Sequence, residues 1–478
     1  MGPKQLALLL IILLISPFFV NCALTVKAET APTPPSLYLG VDVAFESLAQ
    51  TEQLIDNVSS YTNFFVIGCA QKIGNTYFGG EIFNETRLTI ISQFVYDKGL
   101  NFIVYSDDPS YPSKQWLENA TKNFGSRFMG IYYLDEEGGK QLDQAKYPAV
   151  TSAGNFSDAA NQYVTAINGW LRNGPFAITN NFAYPTQYQL FTSDYGLYWY
   201  DYQAGYNTVF AEFGLNTGFE NYSRQLSVAL CRGAATAFNE NWGVMITDAY
   251  RNPPYMESGP ELYQDMMLAY ENGAKYIVVF DSNANYTQNV LQPGQLEAIK
   301  QFWQYTQDNP RTTSQISVRS AYVLPQDFGY GFRDPNDTIF GLWNADWDGT
   351  ASLNFVADIS MCIITFLQMF GSKLDILYAN ENQTLKSLGY KTLIYWNDTT
   401  IVPNMPAMPS QTAATSVHVP LLTALNIRSI ELYAIAGSIL IAFAAVGTVL
   451  WIRRRQSHTL NFTEKISAAN ESERYTVT

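Results

Sequence analysis

Three consecutive acidic residues, Asp135, Glu136 and Glu137, follow a short apolar run and are themselves followed by two glycines. A β-rich apolar run bounded by glycine predicts a buried strand, here Phe128–Glu136. Carboxylates this close raise one another's pKa, and crowding them is costly unless the site uses them. The stretch therefore indicates carboxylate acid/base chemistry, and the alternative interpretation is a solvated acidic turn.

Further acidic residues recur within or at the ends of other predicted strands. They are Asp42, Asp107, Asp108, Glu212, Asp248 and Asp281. In a closed parallel α/β barrel, the C-terminal ends of the strands surround the active site. If the sheet closes, these acids converge on one mouth, where two carboxyl groups could flank a glycosidic bond, one protonated and one ionised.

Glu136 and Glu212 form the best candidate catalytic pair, and Asp135 and Asp248 are the next candidates. The pleat of a regular strand places Asp135 and Glu136 on opposite faces, so only one of them can point into the barrel. The sequence leaves open which one does.

Candidate substrate contacts lie at or near predicted strand ends. They are Tyr133, Asn180, Asn181, Trp199, Tyr202, Arg251 and Asp281. Each candidate has a structural alternative, since buried aromatic rings usually serve packing, and Asp248 and Asp281 could simply form turns. Glu212 could instead be a buried charge paired with Arg232 or Arg251.

The elements that must position these residues follow a strand–helix alternation. The predicted strands are Leu37–Val43, Phe64–Cys69, Asn101–Asp107, Phe128–Glu136, Phe176–Asn180, Asn207–Phe213, Trp242–Asp248 and Lys275–Asp281. The predicted helices are Ser47–Tyr61, Glu85–Lys98, Ser113–Phe124, Asp158–Arg172, Ser193–Ala204, Ser223–Phe238, Gly259–Asn272 and Gln295–Asp308. Eight such units predict an α/β fold, a (β/α)8 TIM barrel over residues 36–312. An open doubly wound sheet is the alternative, but no Gly-rich phosphate turn follows the first strand.

A small α/β domain is predicted after the barrel, at residues 313–400. Its strands are Arg319–Leu324, Lys373–Tyr378 and Lys391–Trp396, and Ile359–Phe370 is its helix. Residues 401–428 are rich in Pro, Ser, Thr and Met without periodicity, which is typical of a linker or stalk.

Both ends of the chain indicate export and membrane anchoring. Residues 1–28 have the charge, apolar core and small-residue site of a signal peptide. Ile430–Ile452, within a predicted transmembrane helix at 429–452, is long enough to cross a lipid bilayer, and three arginines follow it, so residues 453–478 are predicted to be a cytoplasmic tail. Nine glycosylation sequons precede the span, and this density is typical of a glycoprotein ectodomain outside the cell. Their asparagines are Asn57, Asn84, Asn119, Asn155, Asn221, Asn285, Asn336, Asn382 and Asn397.

Composition excludes several classes of function. The 478-residue chain has a formal net charge of −14, which argues against binding nucleic acid. Its two histidines, His418 and His458, lie outside the barrel, so no cofactor, His-based triad or His-ligated metal is expected, although a carboxylate-only Ca²⁺ or Mg²⁺ site stays open. Cys69, Cys231 and Cys362 have no metal-site or disulfide spacing and are predicted to be free thiols.

The barrel with acids after its fourth and sixth strands resembles the glycoside hydrolases. The resemblance is one of architecture and implies a carbohydrate substrate or ligand cleaved by a two-carboxylate mechanism. It has two departures: Asp135 stands before Glu136 where one large clan has Asn, and Asp248 stands where that clan has Glu. The alternatives are a non-catalytic glycan-binding or cell-envelope protein on a degenerate barrel, or an adhesion ectodomain that binds proteins.

Overall fold

The computed structural model describes residues 35–44, 47–73, 76–78, 80–143, 148–173, 189–214, 222–247, 249–251, 254–282, 289–311, 320–334, 337–344, 355–380, 385–397 and 402–403. The predicted signal peptide, most of the stalk, the bilayer-spanning segment and the tail lie outside these residues. So do the predicted strand Phe176–Asn180 and the candidate residues Asn180, Asn181 and Asp248.

Eight parallel strands in the described part of the chain form a closed barrel. They are β1 (Tyr38–Val43), β2 (Phe64–Ile73), β4 (Asn101–Ser106), β5 (Phe128–Tyr133), β6 (Gln189–Asp194), β7 (Thr208–Phe213), β8 (Asn241–Thr247) and β11 (Tyr276–Phe280). Closure occurs at β1, where Gly40 lies opposite Phe64 of β2 and Val278 of β11. The predicted (β/α)8 barrel is therefore confirmed, and the open sheet is excluded.

The fifth barrel strand differs from the prediction. The strand here is Gln189–Asp194, which pairs with β5 on one side and β7 on the other. The segment from Ser193 was predicted to begin a helix, but the helix begins only at Tyr198. The strand was missed because Ser193 resembles a helix N-cap and its apolar core is only two residues, Leu190 and Phe191.

Side chains of the strands alternate between two apolar layers, as the two-residue period of a strand requires. The barrel interior is filled by Tyr38, Phe64, Val66, Ile103, Tyr105, Tyr132, Phe191, Phe210, Met245, Tyr276 and Val278. The larger cluster lies between the strands and the surrounding helices. Because aromatic rings fill the interior, a ligand has access only at its ends.

Helices surround the barrel and connect successive strands. They are α1 (Leu48–Val58), α2 (Glu85–Asp97), α3 (Lys114–Phe124), α5 (Phe156–Asn173), α6 (Tyr198–Ala204), α7 (Ser223–Phe238), α8 (Gly259–Glu271) and α9 (Pro293–Asp308), with the short α4 (Glu137–Leu142) inserted after β5. Side-chain caps explain several starts: Ser47 and Ser258 form capping boxes, and Ser113 accepts a hydrogen bond from the Trp116 N–H. Short strands β3 (Thr76–Phe78), β9 (Ala249–Arg251) and β10 (Pro254–Met256) form hairpins beside the barrel strands.

The predicted small α/β domain is also confirmed. Its central strand β12 (Ser320–Leu324) pairs in parallel with β15 (Leu374–Tyr378) and β16 (Thr392–Tyr395), and β17 (Val402–Pro403) adds an antiparallel edge. The helix α10 (Phe355–Phe370) precedes β15, and a small hairpin, β13 (Thr338–Ile339) and β14 (Trp343–Asn344), precedes α10.

One described segment, Val356–Lys373, is long and apolar enough to cross a membrane by length and composition alone. It contains most of α10, whose residues Ile359, Ile363, Phe366 and Leu367 are buried in the core. Elsewhere in the fold, Cys69, Cys231 and Cys362 are free thiols; the first two are buried and Cys362 is half-buried.

Candidate functional site

The chain leaves regular strand geometry immediately before its acidic run. Strand β5 ends at Tyr133, and Leu134 (φ 63°) and Glu136 (φ 57°) both adopt the left-handed conformation. Asp135 and Glu136 therefore lie beyond the regular strand, and the alternation of a strand does not force them onto opposite faces. Asp135 accepts a hydrogen bond from the inward-facing hydroxyl of Tyr132, while Glu136 lines the same cavity as Glu212.

Glu212 lies near the C-terminal end of β7, on the same inner face as Phe210. Its Oε1 accepts a hydrogen bond from the Ser193 hydroxyl over 2.9 Å. The charge of Glu136 raises the pKa of Glu212, and both side chains line the same cavity. The structure thus brings together two acids that are 76 positions apart in sequence.

Two glycines allow the loop after β5 to approach the loop after β6. A Cβ atom on Gly138 would lie 2.4 Å from the Gly196 carbonyl oxygen, and one on Gly139 would lie 2.1 Å from the Tyr195 ring. In the space so created, Asp194 accepts hydrogen bonds from the N–H groups of Gly138 (2.6 Å) and Gly139 (2.9 Å). Sequence reasoning missed Asp194, although it ends a strand just as the other candidate acids do.

Burial and mutual repulsion raise the pKa values of the clustered acids. Burial, then the charge of Glu136, raises the pKa of Asp135 to about 8. Burial raises the pKa of Glu137 to about 7 and that of Asp194 to about 7. The pKa of Glu136 rises mainly through burial and is moderated by Lys140.

The pKa of Glu212 is raised well above its usual range. Burial is the main cause, and the charges of Glu136 and Asp135 add to it. Because the charge of Glu136 disfavours ionisation of Glu212, one carboxyl group of the pair can hold its proton when the other has lost its own. One protonated and one ionised carboxyl group can perform general acid and nucleophilic or basic chemistry.

Both glutamates line a cavity of about 430 Å³ at the barrel mouth. Its other lining residues are Asp143, Tyr195, Tyr198, Gly214, Ser223, Arg224, Leu226, Ser227, Leu230, Gly331, Phe332, Arg333 and Asp334. The last four belong to the small domain, so this domain forms part of the wall. Arg333 is held there by Asp143 of the barrel, at 2.5 Å, and by Asp337, at 2.6 Å.

Four predicted substrate contacts lie away from this cavity. Tyr133 packs toward the helices, because the neighbouring Tyr132 takes the inward position. Trp199 packs against Phe238 and Tyr378. The Tyr202 hydroxyl donates to the Asn241 carbonyl, and Asp281 is fully buried as the acceptor of a turn.

Arg232 and Arg251 were the two candidate ion-pair partners of Glu212. Arg232 pairs with Asp375 of the small domain over 2.6 Å, so it is not the partner of Glu212. Arg251 belongs to β9, and its side chain lies outside the described residues. Across the described ranges, no group of three or more His, Cys, Asp or Glu side chains is arranged to hold a metal ion.

No family model matches the chain, and no curated protein matches it. The chain does match solved structures. A β-galactosidase from the haloarchaeon Halorubrum lacusprofundi is 11% identical, with a TM-score of 0.46 over 75% of this chain and 69% of that chain. A GH5_18 protein from Bifidobacterium longum subsp. longum, in complex with Manb1-4GlcNAc, is 12% identical, with a TM-score of 0.47 over 80% of this chain and 99% of that chain.

A family 98 glycoside hydrolase from Streptococcus pneumoniae is 10% identical, with a TM-score of 0.37 over 74% of this chain and 67% of that chain. The chain is similar in fold to glycoside hydrolases. The barrel predicted from the sequence is shown by the pairing of its own strands, and the chemistry of the site follows from its own residues.

Proposed function

We propose that this protein is a glycoside hydrolase in which Glu136 and Glu212 act together on a glycan. The observation that carries the proposal is that both carboxyl groups line one cavity at the barrel mouth. Two carboxyl groups, one holding a proton and one ionised, are the minimum that glycosidic hydrolysis requires.

The charge of Glu136 raises the pKa of Glu212, and this interaction favours the shorter separation of a retaining mechanism. Retaining enzymes hold their carboxyl groups about 5 Å apart, whereas inverting enzymes need roughly 6.5–9.5 Å to admit a water molecule. We assign Glu212 as the acid, since burial and the charges of Glu136 and Asp135 raise the pKa of its carboxyl group. We assign Glu136 as the ionised nucleophile, since the charge of Lys140 favours its ionised form.

In the first step Glu212 gives its proton to the leaving glycosidic oxygen while Glu136 attacks the anomeric carbon. The C–O bond to the leaving group breaks, and a glycosyl ester forms on Glu136. In the second step Glu212 takes a proton from water, whose oxygen displaces Glu136. The sugar leaves with its original anomeric configuration, and both carboxyl groups return to their starting states.

The test uses the full chain and a panel of aryl glycosides and oligosaccharides. Glu136→Gln and Glu212→Gln are each expected to lower kcat by about 10²- to 10⁴-fold. With a dinitrophenyl leaving group, which needs no proton, Glu212→Gln should keep its first step and Glu136→Gln should not. A matched control is Glu240→Gln, because Glu240 is a half-buried glutamate before β8, at the opposite end of the barrel.

Equal activity of wild type and both glutamine variants would overturn the proposal. Glycan binding without turnover by the wild type would instead favour a non-catalytic carbohydrate-binding protein. Proton NMR of the first-formed product distinguishes a retained from an inverted anomer and so tests the mechanism.

We further propose that the protein acts at the cell surface, exported by residues 1–28 and anchored by Ile430–Ile452. In support, the sequon asparagines within the described ranges, Asn57, Asn84, Asn119, Asn155 and Asn397, are all exposed. Protease treatment of intact cells should remove the folded body and leave the C-terminal tail protected. Protection of the folded body would contradict the orientation.

A further inference from the structure

The end of strand β6 touches both proposed catalytic glutamates. The Ser193 hydroxyl donates to Glu212 Oε1 over 2.9 Å. The Ser193 carbonyl oxygen accepts the Glu136 N–H, also over 2.9 Å. A single residue therefore fixes the Glu212 side chain and the Glu136 backbone at the same time.

The next residue, Asp194, fixes the loop that carries Glu136. Its carboxylate is 1% exposed, and Oδ2 accepts the N–H of Gly138, at 2.6 Å. Its Oδ1 accepts three more backbone N–H groups, from Gly139 (2.9 Å), Tyr195 (2.7 Å) and Gly196 (3.0 Å). These bonds fasten the start of α4, directly after Glu136, to the turn that follows β6.

These hydrogen bonds hold a strained stretch of backbone in place. A left-handed conformation is unfavourable for a non-glycine residue, and both Leu134 (φ 63°) and Glu136 (φ 57°) adopt it. Such strain persists only where the surroundings over-determine it. Thr192 contributes as well, because its hydroxyl donates to the Leu134 carbonyl over 2.8 Å.

We propose that Ser193 and Asp194 are positioning residues, which set the orientation of Glu136 and its spacing from Glu212. The proposal rests on the proposed hydrolase function. Neither residue reacts with substrate; each acts through the carboxyl groups that it holds. Reactions of this kind tolerate little misplacement, since an error of about 1 Å can cost roughly 10²-fold in rate.

The first variant is Asp194→Asn. An amide nitrogen in place of Oδ2 would face the Gly138 N–H, donor against donor, and release the start of α4. We expect kcat to fall about 10- to 100-fold while KM stays within about threefold, because every side chain that lines the cavity is retained. A rise in KM together with a loss of stability, at an unchanged kcat, would overturn the proposal.

The second variant is Ser193→Ala. This substitution removes only a hydroxyl group, so the protein is expected to fold even if Asp194→Asn does not. The serine hydroxyl stabilises ionised Glu212, so its removal lets Glu212 keep its proton at higher pH. We expect the basic limb of the kcat/KM profile to move up, with the ratio of activity at pH 8 to pH 6 rising about threefold. An unchanged profile would contradict the role of Ser193.

The barrel supplies a matched pair of controls at the end of β11. Asp281 is also a buried aspartate that accepts backbone N–H groups, from Val290 and Leu291, each at 2.7 Å. Ser282 is also a buried serine, and its hydroxyl accepts the Ala44 N–H over 2.9 Å. Asp281→Asn and Ser282→Ala should cost similar stability yet leave kcat and the pH profile within about threefold of wild type.

A second measurement separates failure of this inference from failure of the hydrolase proposal. Carbon-13 NMR of labelled glutamate carboxyl groups follows the titration of Glu212 without turnover. A shifted Glu212 titration in Ser193→Ala, in a protein that hydrolyses no glycan, would support the positioning role and defeat the proposed function. An unshifted titration would overturn the positioning role whatever the activity.

Discussion

Arg232 on helix α7 contacts Asp375 on strand β15 over 2.6 Å, and both side chains are buried. The second carboxylate oxygen of Asp375 accepts a hydrogen bond from the Tyr390 hydroxyl over 2.7 Å. A Cβ atom on the neighbouring Gly233 would lie 2.2 Å from the Ile376 carbonyl oxygen. The small domain is thus packed closely against the barrel at the helix that follows β7, the strand that carries Glu212.

Removal of Asp375 should therefore destabilise the molecule strongly. Asp375→Ala leaves the Arg232 guanidinium buried without its counter-charge, which costs about 3–5 kcal/mol. The exposed pair of Lys98 and Asp56, also in contact, is the control, and Asp56→Ala should cost less than about 1 kcal/mol. Urea unfolding measures both. Equal losses would show that the buried pair contributes no more than a surface pair.

The clustered acids should make the protein less stable as pH rises from 5 to 8. Burial raises the pKa of Asp135 to about 8, and those of Glu137 and Asp194 to about 7. Between the unfolded and folded pKa values the folded state binds more protons, so the free energy of unfolding decreases with increasing pH. Hydrogen bonds from Ser258 lower the pKa of Glu261, so its contribution to stability is lost only below about pH 5. Between pH 5 and pH 8 this contribution is constant and does not offset the trend.

Glu137→Gln tests this sign directly. Its side chain is only 14% exposed, and removing its titration should reduce the difference in unfolding free energy between pH 5 and pH 8 by about 2 kcal/mol. Urea unfolding at the two pH values gives the difference. A difference as large in the variant as in the wild type would mean that Glu137 titrates normally in the folded state.

The sequence predicted the repeating architecture better than it predicted the site. Seven of the barrel strands overlap their predicted ranges, because buried apolar runs and helix caps are local signals. Glu136 and Glu212 line one cavity, as expected from barrel closure, and their catalytic role stays a prediction. Ser193 and Asp194 were missed, because their strand was mistaken for the start of a helix.

Other errors came from features that have no local signature. Tyr133 and Tyr132 are adjacent and alike, and only the end of the strand and its phase decide which ring faces inward. Likewise, Phe332 and Arg333 reach the cavity through tertiary packing across roughly 120 positions from Glu212. The spacing of residues along the chain does not show which distant residues tertiary packing brings to the cavity.

Gly139 should not tolerate a side chain, whereas Gly169 should. Alanine at 139 would place Cβ 2.1 Å from the Tyr195 ring, whose hydroxyl donates to Asp143 over 2.8 Å. Displacing that ring should cost about 1–3 kcal/mol. Gly169 lies inside α5 with open space around it, so Gly169→Ala should instead gain about 0.5–1 kcal/mol. Thermal unfolding of both variants gives the two signs, and a loss at both positions would refute the distinction.

Lys140 should set the acidic limb of activity. Its ammonium group lies 3.4 Å from Glu137 Oε1 and donates to the Asp135 carbonyl oxygen, and its charge lowers the pKa of Glu136. Lys140→Met removes that charge, so Glu136 stays protonated to higher pH and cannot act as nucleophile there. We expect kcat/KM at pH 5 to fall about tenfold, with a smaller loss at pH 7. Lys122→Met, on the exposed face of α3, is the control and should leave the profile unchanged. Should Lys140→Met lower activity equally at both pH values, the lysine would serve the fold of α4 rather than the ionisation of Glu136.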